Sequence, residues 1–206
     1  MEDGCVHALV IEKASGKSYS LKPSLPGKFQ LRNALNAAAA ANVLQSRGYR
    51  VCDENIVQGI ASTVWPGRLE RLQVRPDVIL DGAHNPGAAR ELAKFLQENF
   101  AGRRIYLIYG AMRDKAVDEV AGLLFPHAYE VVFTQPGTPR AVSATQLAEM
   151  AGDHAARFSI HPDAAGALES VVAVAGPEDV IFITGSLYLV GELRQAWRAC
   201  RKVASN

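Results

Sequence analysis

From residue 65 onward the chain alternates short apolar runs with longer amphipathic stretches, and that alternation leaves few folds open. The runs Val78–Asp81, Ile105–Gly110, Glu130–Thr134, Arg157–Ile160 and Val180–Thr184 read as strands, with a further one around Leu69–Val74. Between them, Pro86–Phe100, Asp114–Leu124, Ser143–Ala151, Pro162–Ala175 and Leu187–Arg201 read as helices. Continuous apolar runs, without the in-and-out alternation of a half-exposed strand, imply strands covered on both faces. Helices placed between such strands imply parallel crossovers. The expectation is an α/β domain over residues 65–206, a doubly wound and mostly parallel sheet of the Rossmann-like kind.

Residues 1–64 have a different texture. Val6–Ile11 and Tyr19–Leu21 flank Ala14-Ser15-Gly16-Lys17, which reads as a β-hairpin whose turn carries the small residues a tight reversal needs. Asn33–Arg47 is rich in alanine and reads as a helix, with Gly48 at its C-terminal cap. Asp53 reads as the N-cap of a second, short helix with Ile56, Val57 and Ile60 on one face. Trp65-Pro66-Gly67 closes this part. These elements are too few to close a core of their own, so residues 1–64 are expected to be the C-terminal tail of a larger domain.

Composition removes several classes of function. A formal net charge of +1 offers no basic surface for nucleic acid or for an anionic membrane. No apolar stretch reaches the roughly 20 residues that span a bilayer, and the first residues lack a signal peptide's basic and apolar regions. Cys5, Cys52 and Cys200 are scattered, which fits a reducing cytoplasm and no metal cluster. The histidines likewise have no metal-ligand spacing. No G-x-x-x-x-G-K-[ST] or G-x-G-x-x-G loop, H-E-x-x-H helix or G-x-S-x-G elbow is present.

The chemistry-bearing residues gather where expected strands stop. Asp81-Gly82-Ala83-His84-Asn85-Pro86 follows an apolar run and precedes a helix, the place where parallel sheets hold ligands. Asn85 suits the helix N-cap with Pro86 at the first helical position, which leaves Asp81 and His84 without an evident structural task. Thr184-Gly185-Ser186 closes the last strand and opens the last helix, where exposed N–H groups attract an anion; Ser186 serves equally as a cap. In Gly110-Ala111-Met112-Arg113-Asp114-Lys115, Asp114 reads as a helix N-cap and Lys115 as a charged candidate or a surface cation. Arg68 follows Pro66-Gly67 in a loop, and a guanidinium suits phosphate. Gln30 and Asn33 lie where the alanine-rich helix is entered, with amides suited to a purine edge or to ordinary helix-entry contacts.

Taken together, Leu25-Pro-Gly-x-x-Gln30-x-x-Asn33, Pro66-Gly-Arg68, Asp81-Gly-Ala-His84-Asn-Pro, Gly110-x-Met-x-Asp114-Lys115 and Gly185-Ser186-Leu-Tyr-Leu resemble the C-terminal portion of the folylpolyglutamate synthase/dihydrofolate synthase family, within the Mur ligase superfamily. The resemblance covers roughly residues 25–200, in the family's order. It implies an ATP-dependent ligase of folate metabolism that joins L-glutamate to dihydropteroate or folate, with magnesium. In that chemistry the carboxylate takes the γ-phosphate as an acyl phosphate, and the glutamate amine then displaces phosphate.

Carried over residue by residue, the resemblance gives Asn33 to adenine, Arg68 to the phosphates and Asp81 to the ribose. His84, Ser186 and Lys115 fall on the glutamate side, and His84 and Arg68 are the expected catalytic residues. It further implies 1–64 as the end of the ATP-binding central domain and 65–206 as the glutamate-ligase domain. The family's P-loop and metal ligands precede this segment, so the chain alone is expected to hold no metal and to make no acyl phosphate. A Mur-type cell-wall ligase and a non-catalytic nucleotide or amino-acid binding module are the alternatives.

Overall fold

In the first part of the chain a short hairpin and a pair of helices enclose a small core. The computed structural model describes residues 7–11 and 18–204, with side chains through Ala199. Strand β1 (Ala8–Ile11) pairs antiparallel with β2 (Ser18–Leu21), Ala8 opposite Leu21 and Ile11 opposite Ser18. The expected turn at 14–17, like Cys5, lies outside the described residues.

Helix α1 (Lys28–Ser46) begins ahead of the expected Asn33, because Gly27, at φ 97°, turns the chain and its carbonyl accepts from Gln30 N–H. Gln30 and Asn33 therefore sit three apart on one helix face, not in an entry loop. Helix α2 (Asp53–Ala61) is capped by Cys52, not Asp53; Asn55 reaches back to the Cys52 N–H in a capping box. Asp53 instead stands inside the first turn, where its charge favours the helix dipole. Leu21, Ala38 and Ile56 are buried together, with Val10, Leu35, Val57 and Ile60 around them.

The chain divides into two compact units, Met1–Arg68 and Leu69–Asn206, four residues beyond the division expected from sequence. The second unit is a single six-stranded sheet in the order β3-β4-β8-β5-β6-β7. Its strands are β3 (Glu70–Gln73), β4 (Asp77–Leu80), β5 (Ile105–Tyr109), β6 (Glu130–Phe133), β7 (Phe158–Ile160) and β8 (Val180–Thr184). Only β3 runs antiparallel to its neighbour; the rest are parallel, so the expected mostly parallel α/β fold is the observed one.

Every residue of β4, β5 and β8 is buried, which is why those runs carry no polar alternation. Helices α6 (Ala164–Val174) and α7 (Leu187–Ala204) cover the face presented by Val78, Leu80, Tyr106, Ile108, Ile181 and Ile183. By the two-residue period of a strand, Ile79, Leu107, Tyr109, Phe133 and Phe182 point the other way. There the rings of Tyr109 and Phe133 meet Phe125 edge-to-face at 5.1 and 5.6 Å. Phe125 ends α4 (Val117–Leu124), which lies between α3 (Pro86–Phe100) and α5 (Ala144–Ala151).

At the amino ends of the strands, buried Asp77 pairs with Arg71 at 2.9 Å and Arg103 at 2.7 Å, and Asp179 with Arg104 at 2.7 Å.

Phe182 has no exposed surface and sits mid-strand in the middle of the sheet. Truncating it leaves a cavity that two close-packed layers cannot collapse into. Phe182→Ala is expected to cost about 3–5 kcal/mol in equilibrium urea unfolding of the full chain, with the secondary structure retained at low denaturant.

Candidate functional site

The order of strands creates the site. After β4 and β5 the chain turns into α3 and α4 on one face, whereas after β8, which lies between them, it turns into α7 on the other. Loops leaving adjacent strands toward opposite faces open a crevice at the carboxyl ends, the place where such sheets bind ligands. The three strand ends are tied together. Gly185 N–H donates to Ala83 O at 3.0 Å, the Thr184 hydroxyl to the same oxygen at 3.2 Å, and Gly110 N–H to Thr184 O at 3.3 Å. Gly185 is required here: its φ is 101°, and a Cβ would stand 2.6 Å from the Tyr109 ring and 2.8 Å from Gly110 O.

The crevice holds a cavity of about 170 Å³ lined by His84, Met112, Asp114, Lys115, Arg140 and Gly185 to Tyr188. Three residues singled out in the sequence, His84, Lys115 and Ser186, thus face one space. His84 Nδ1 lies 2.8 Å from Gly82 O. A carbonyl only accepts, so Nδ1 carries a proton, and in the neutral ring the lone pair is on Nε2. Ser186 is buried, and its Oγ accepts from Tyr188 N–H at 3.1 Å at the start of α7. It caps the helix as the sequence allowed, while the neighbouring first-turn N–H groups lie at an anion-favouring terminus.

Asp114 is not a helix cap, since α4 starts at Val117; its carboxylate bridges Lys115 at 3.1 Å and Arg140 at 3.6 Å. The hydrogen bond from Lys115 is the main reason its carboxyl lies below the ordinary aspartate range, with both cations adding to the effect. Arg140 carried no local signal in the sequence. It arrives because the loop after β6 returns to the loop after β5: Arg113 N–H donates to Arg140 O, Val142 N–H donates to Ala111 O, and Met112 bridges Ala141.

Asp81 lies at the end of β4, four per cent exposed. Oδ2 accepts from Leu69 N–H at 3.0 Å and Oδ1 from Ala83 N–H at 2.9 Å. The expectation that it had no structural task is corrected: it pins the chain entering β3 and the turn leading to His84. Asn85 caps α3 as expected, its Oδ1 accepting from Ala88 N–H at 2.9 Å, with Pro86 first in the helix.

Asn33 and Arg68 belong to the first unit, where a cavity of about 450 Å³ is lined by residues that include Leu25, Gln30, Asn33, Ala34, Trp65 and Arg68. Apolar walls, an amide pair and one guanidinium match what a heterocyclic ligand with an anionic tail requires. Asn33 Nδ2 donates to Gln30 Oε1 at 2.9 Å.

Among the described residues no three His, Cys, Asp or Glu side chains stand together as a metal site, and no helix is long and apolar enough to cross a membrane.

Residues 67–187 match the family model described as Mur ligase, glutamate ligase domain. The chain is 31% identical over 185 residues to the dihydrofolate synthase/folylpolyglutamate synthase of Bacillus subtilis, covering 89% of this chain and 43% of that protein. It thus spans less than half the length of that relative. The chain is also 30% identical over 206 residues to the UDP-N-acetylmuramoyl-L-alanyl-D-glutamate–2,6-diaminopimelate ligase of Corynebacterium glutamicum, covering 94% and 39%. Among solved structures it resembles Escherichia coli FolC in complex with DHPP and ADP, with a TM-score of 0.78, 26% identity, and coverage of 97% of this chain and 47% of that one. A bifunctional folylpolyglutamate synthase/dihydrofolate synthase with Mn, AMPPNP and L-glutamate bound gives a TM-score of 0.71 at 30% identity, covering 87% and 42%.

Two consequences are measurable. Asp81→Asn sets an amide N–H against a backbone N–H and is expected to destabilise the chain by about 1–3 kcal/mol in denaturant unfolding. For Asp114, a depressed folded-state pKa means a contribution present above the unfolded value and lost as pH falls through the folded one. Carboxyl NMR should place its midpoint below the ordinary value of 3.8, and Lys115→Met should move it upward.

Proposed function

The chain belongs to the Mur ligase, glutamate ligase domain family, and from that premise we propose that it supplies the amino-acid side, and part of the nucleotide side, of an ATP-dependent ligase joining L-glutamate to dihydropteroate or a folate. The observation that carries the reading is the crevice. Lys115 and Arg140 with the one carboxylate they share, the His84 imidazole and a helix N-terminus line a space below the roughly 300–1,000 Å³ typical of drug-sized ligands. That volume and that sign of charge suit a small dicarboxylate. Lys115 and Arg140 offer charged donors to a carboxylate, and the first turn of α7 beside Ser186 offers neutral ones.

In this scheme the folate-side carboxylate bonds to the γ-phosphorus as the bond to ADP breaks. The glutamate nitrogen then bonds to the acyl carbon as phosphate leaves. An ammonium is no nucleophile, so it must first shed a proton; His84 Nε2 is the lone pair in the crevice placed to take it. The chain's other residues orient and hold charge, which is most of what acyl-phosphate chemistry asks of a protein. Asn33 and Arg68 are assigned to the nucleotide through adenine and phosphate, and Asp81 to the ribose.

Magnesium is the proposed companion of ATP. The chain's described residues do not form a cluster for it, so no step here depends on one. The absence of a phosphate loop within the 206 residues further suggests that the chain alone does not form the acyl phosphate. With scattered cysteines, the cytoplasm is the proposed setting.

The relationship to a diaminopimelate-adding cell-wall ligase supports one second reading, in which the same crevice takes diaminopimelate. Calorimetric titration of the full chain separates the two. L-glutamate is expected to bind, and Lys115→Met to weaken it roughly tenfold or more, the worth of one charged hydrogen bond. Binding of diaminopimelate but not glutamate would overturn the folate reading. Incubation with ATP, magnesium, dihydropteroate and glutamate is expected to release no ADP above background, and steady ADP release would refute that part.

A further inference from the structure

We propose that Gln30 sets the base selectivity of the first unit's cavity, by holding the Asn33 amide in the orientation that reads adenine and rejects guanine. The inference rests on the nucleotide reading of that cavity. Gln30 is four per cent exposed, whereas Asn33, three residues on along the same face of α1, is exposed at the cavity. Their one hydrogen bond runs from Asn33 Nδ2 to Gln30 Oε1 at 2.9 Å. Gln30 Nε2 is buried with no partner.

That unpaired donor is a loss of stability which an apolar side chain of the same length would not incur. What the amide adds over methionine is the acceptor that faces Asn33.

The acceptor matters because adenine and guanine are opposites at ring position 6. Adenine carries an amine there, a donor, beside the acceptors N1 and N7; guanine and hypoxanthine carry a carbonyl, an acceptor, beside a protonated N1. An asparagine amide reads either base, depending on which of its ends faces position 6. With one Nδ2–H given to Gln30, Asn33 has Oδ1 and a second N–H left, an acceptor and a donor that complement the amine and a ring nitrogen of adenine. Turning the Asn33 amide over would set Oδ1 against Gln30 Oε1, two acceptors without a proton between them. Gln30 acts through Asn33 and is therefore a positioning residue.

Trp65 lines the same cavity with an exposed ring, so its fluorescence reports occupancy; Trp65→Phe identifies its share of the signal against Trp197. Quenching of the full chain is titrated with ATP, ITP and GTP, for the wild type, Gln30→Met and Gln30→Glu. The wild type is expected to prefer ATP over ITP and GTP by on the order of tenfold to a hundredfold, the usual discrimination of a two-point base contact. Gln30→Met should reduce the ratio to about threefold or less, with thermal stability unchanged or raised. Gln30→Glu, which presents only acceptors to Asn33, should keep the preference.

A wild type that binds ATP and GTP equally, as a concerted turn of both amides would allow, overturns the inference and leaves the nucleotide cavity standing. So does a Gln30→Met chain that keeps the full preference. A Trp65 signal that no nucleotide moves would remove the nucleotide reading itself, and the selectivity claim with it.

Discussion

The insertion of β8 between β4 and β5 is the constraint on which the rest of the second unit depends. It makes the chain cross the sheet twice, out along β5 to β7 and back through α6, and so places helices on both faces. It also puts a change of face on each side of one strand, which is what opens the crevice. The insertion is secured at the strand ends by hydrogen bonds from Gly110 to Thr184, from Asp81 to Ile183 and from Gly185 to Ala83. Gly185 can enter that arrangement only because it lacks a Cβ. The site is therefore a consequence of topology first and of side chains second.

The two ends of the sheet use charge differently. At the amino ends, Asp77 and Asp179 are buried and held by arginines at hydrogen-bond distance, Asp77 by Arg71 and Arg103 and Asp179 by Arg104, an arrangement that fixes strand ends. At the carboxyl ends, the buried Asp81 is satisfied by backbone N–H groups, while Lys115 and Arg140 share a single exposed carboxylate, Asp114. Lys115 and Arg140 thus outnumber the one carboxylate they share, in a chain whose formal net charge is only +1. A global charge count conceals a local field of that kind.

How much of this was legible in the sequence follows from the range of the interactions. Strands β4, β5 and β8 were readable because burial on both faces leaves an uninterrupted apolar run, and Asn85 was readable as a cap because its signal lies within a few residues. The caps of α2 and α4 were misread, since Asp53 and Asp114 each had a competing partner or a neighbour better placed to cap. His84, Ser186 and Lys115 were found because each follows a strand end. Arg140 was missed: the contact that brings it to the crevice joins two loops far apart in sequence, and no local period encodes it. Asp81 was found, but its hold on Leu69 was not, for the same reason.

The Asp81–His84 turn links structure to chemistry through a single peptide. Oδ1 of Asp81 accepts from the N–H of Ala83, and the carbonyl at the other end of that same peptide, Gly82 O, receives Nδ1–H of His84. A carboxylate drawing on the N–H end of an amide polarises it and makes its oxygen a better acceptor. The buried aspartate thereby acts on the imidazole at a distance of one peptide plane, fixing Nδ1 as the ring nitrogen that donates. The same hydrogen bond from Ala83 that helps to seat the end of β4 thus also orients the His84 ring, and any change that loosens the first disturbs the second.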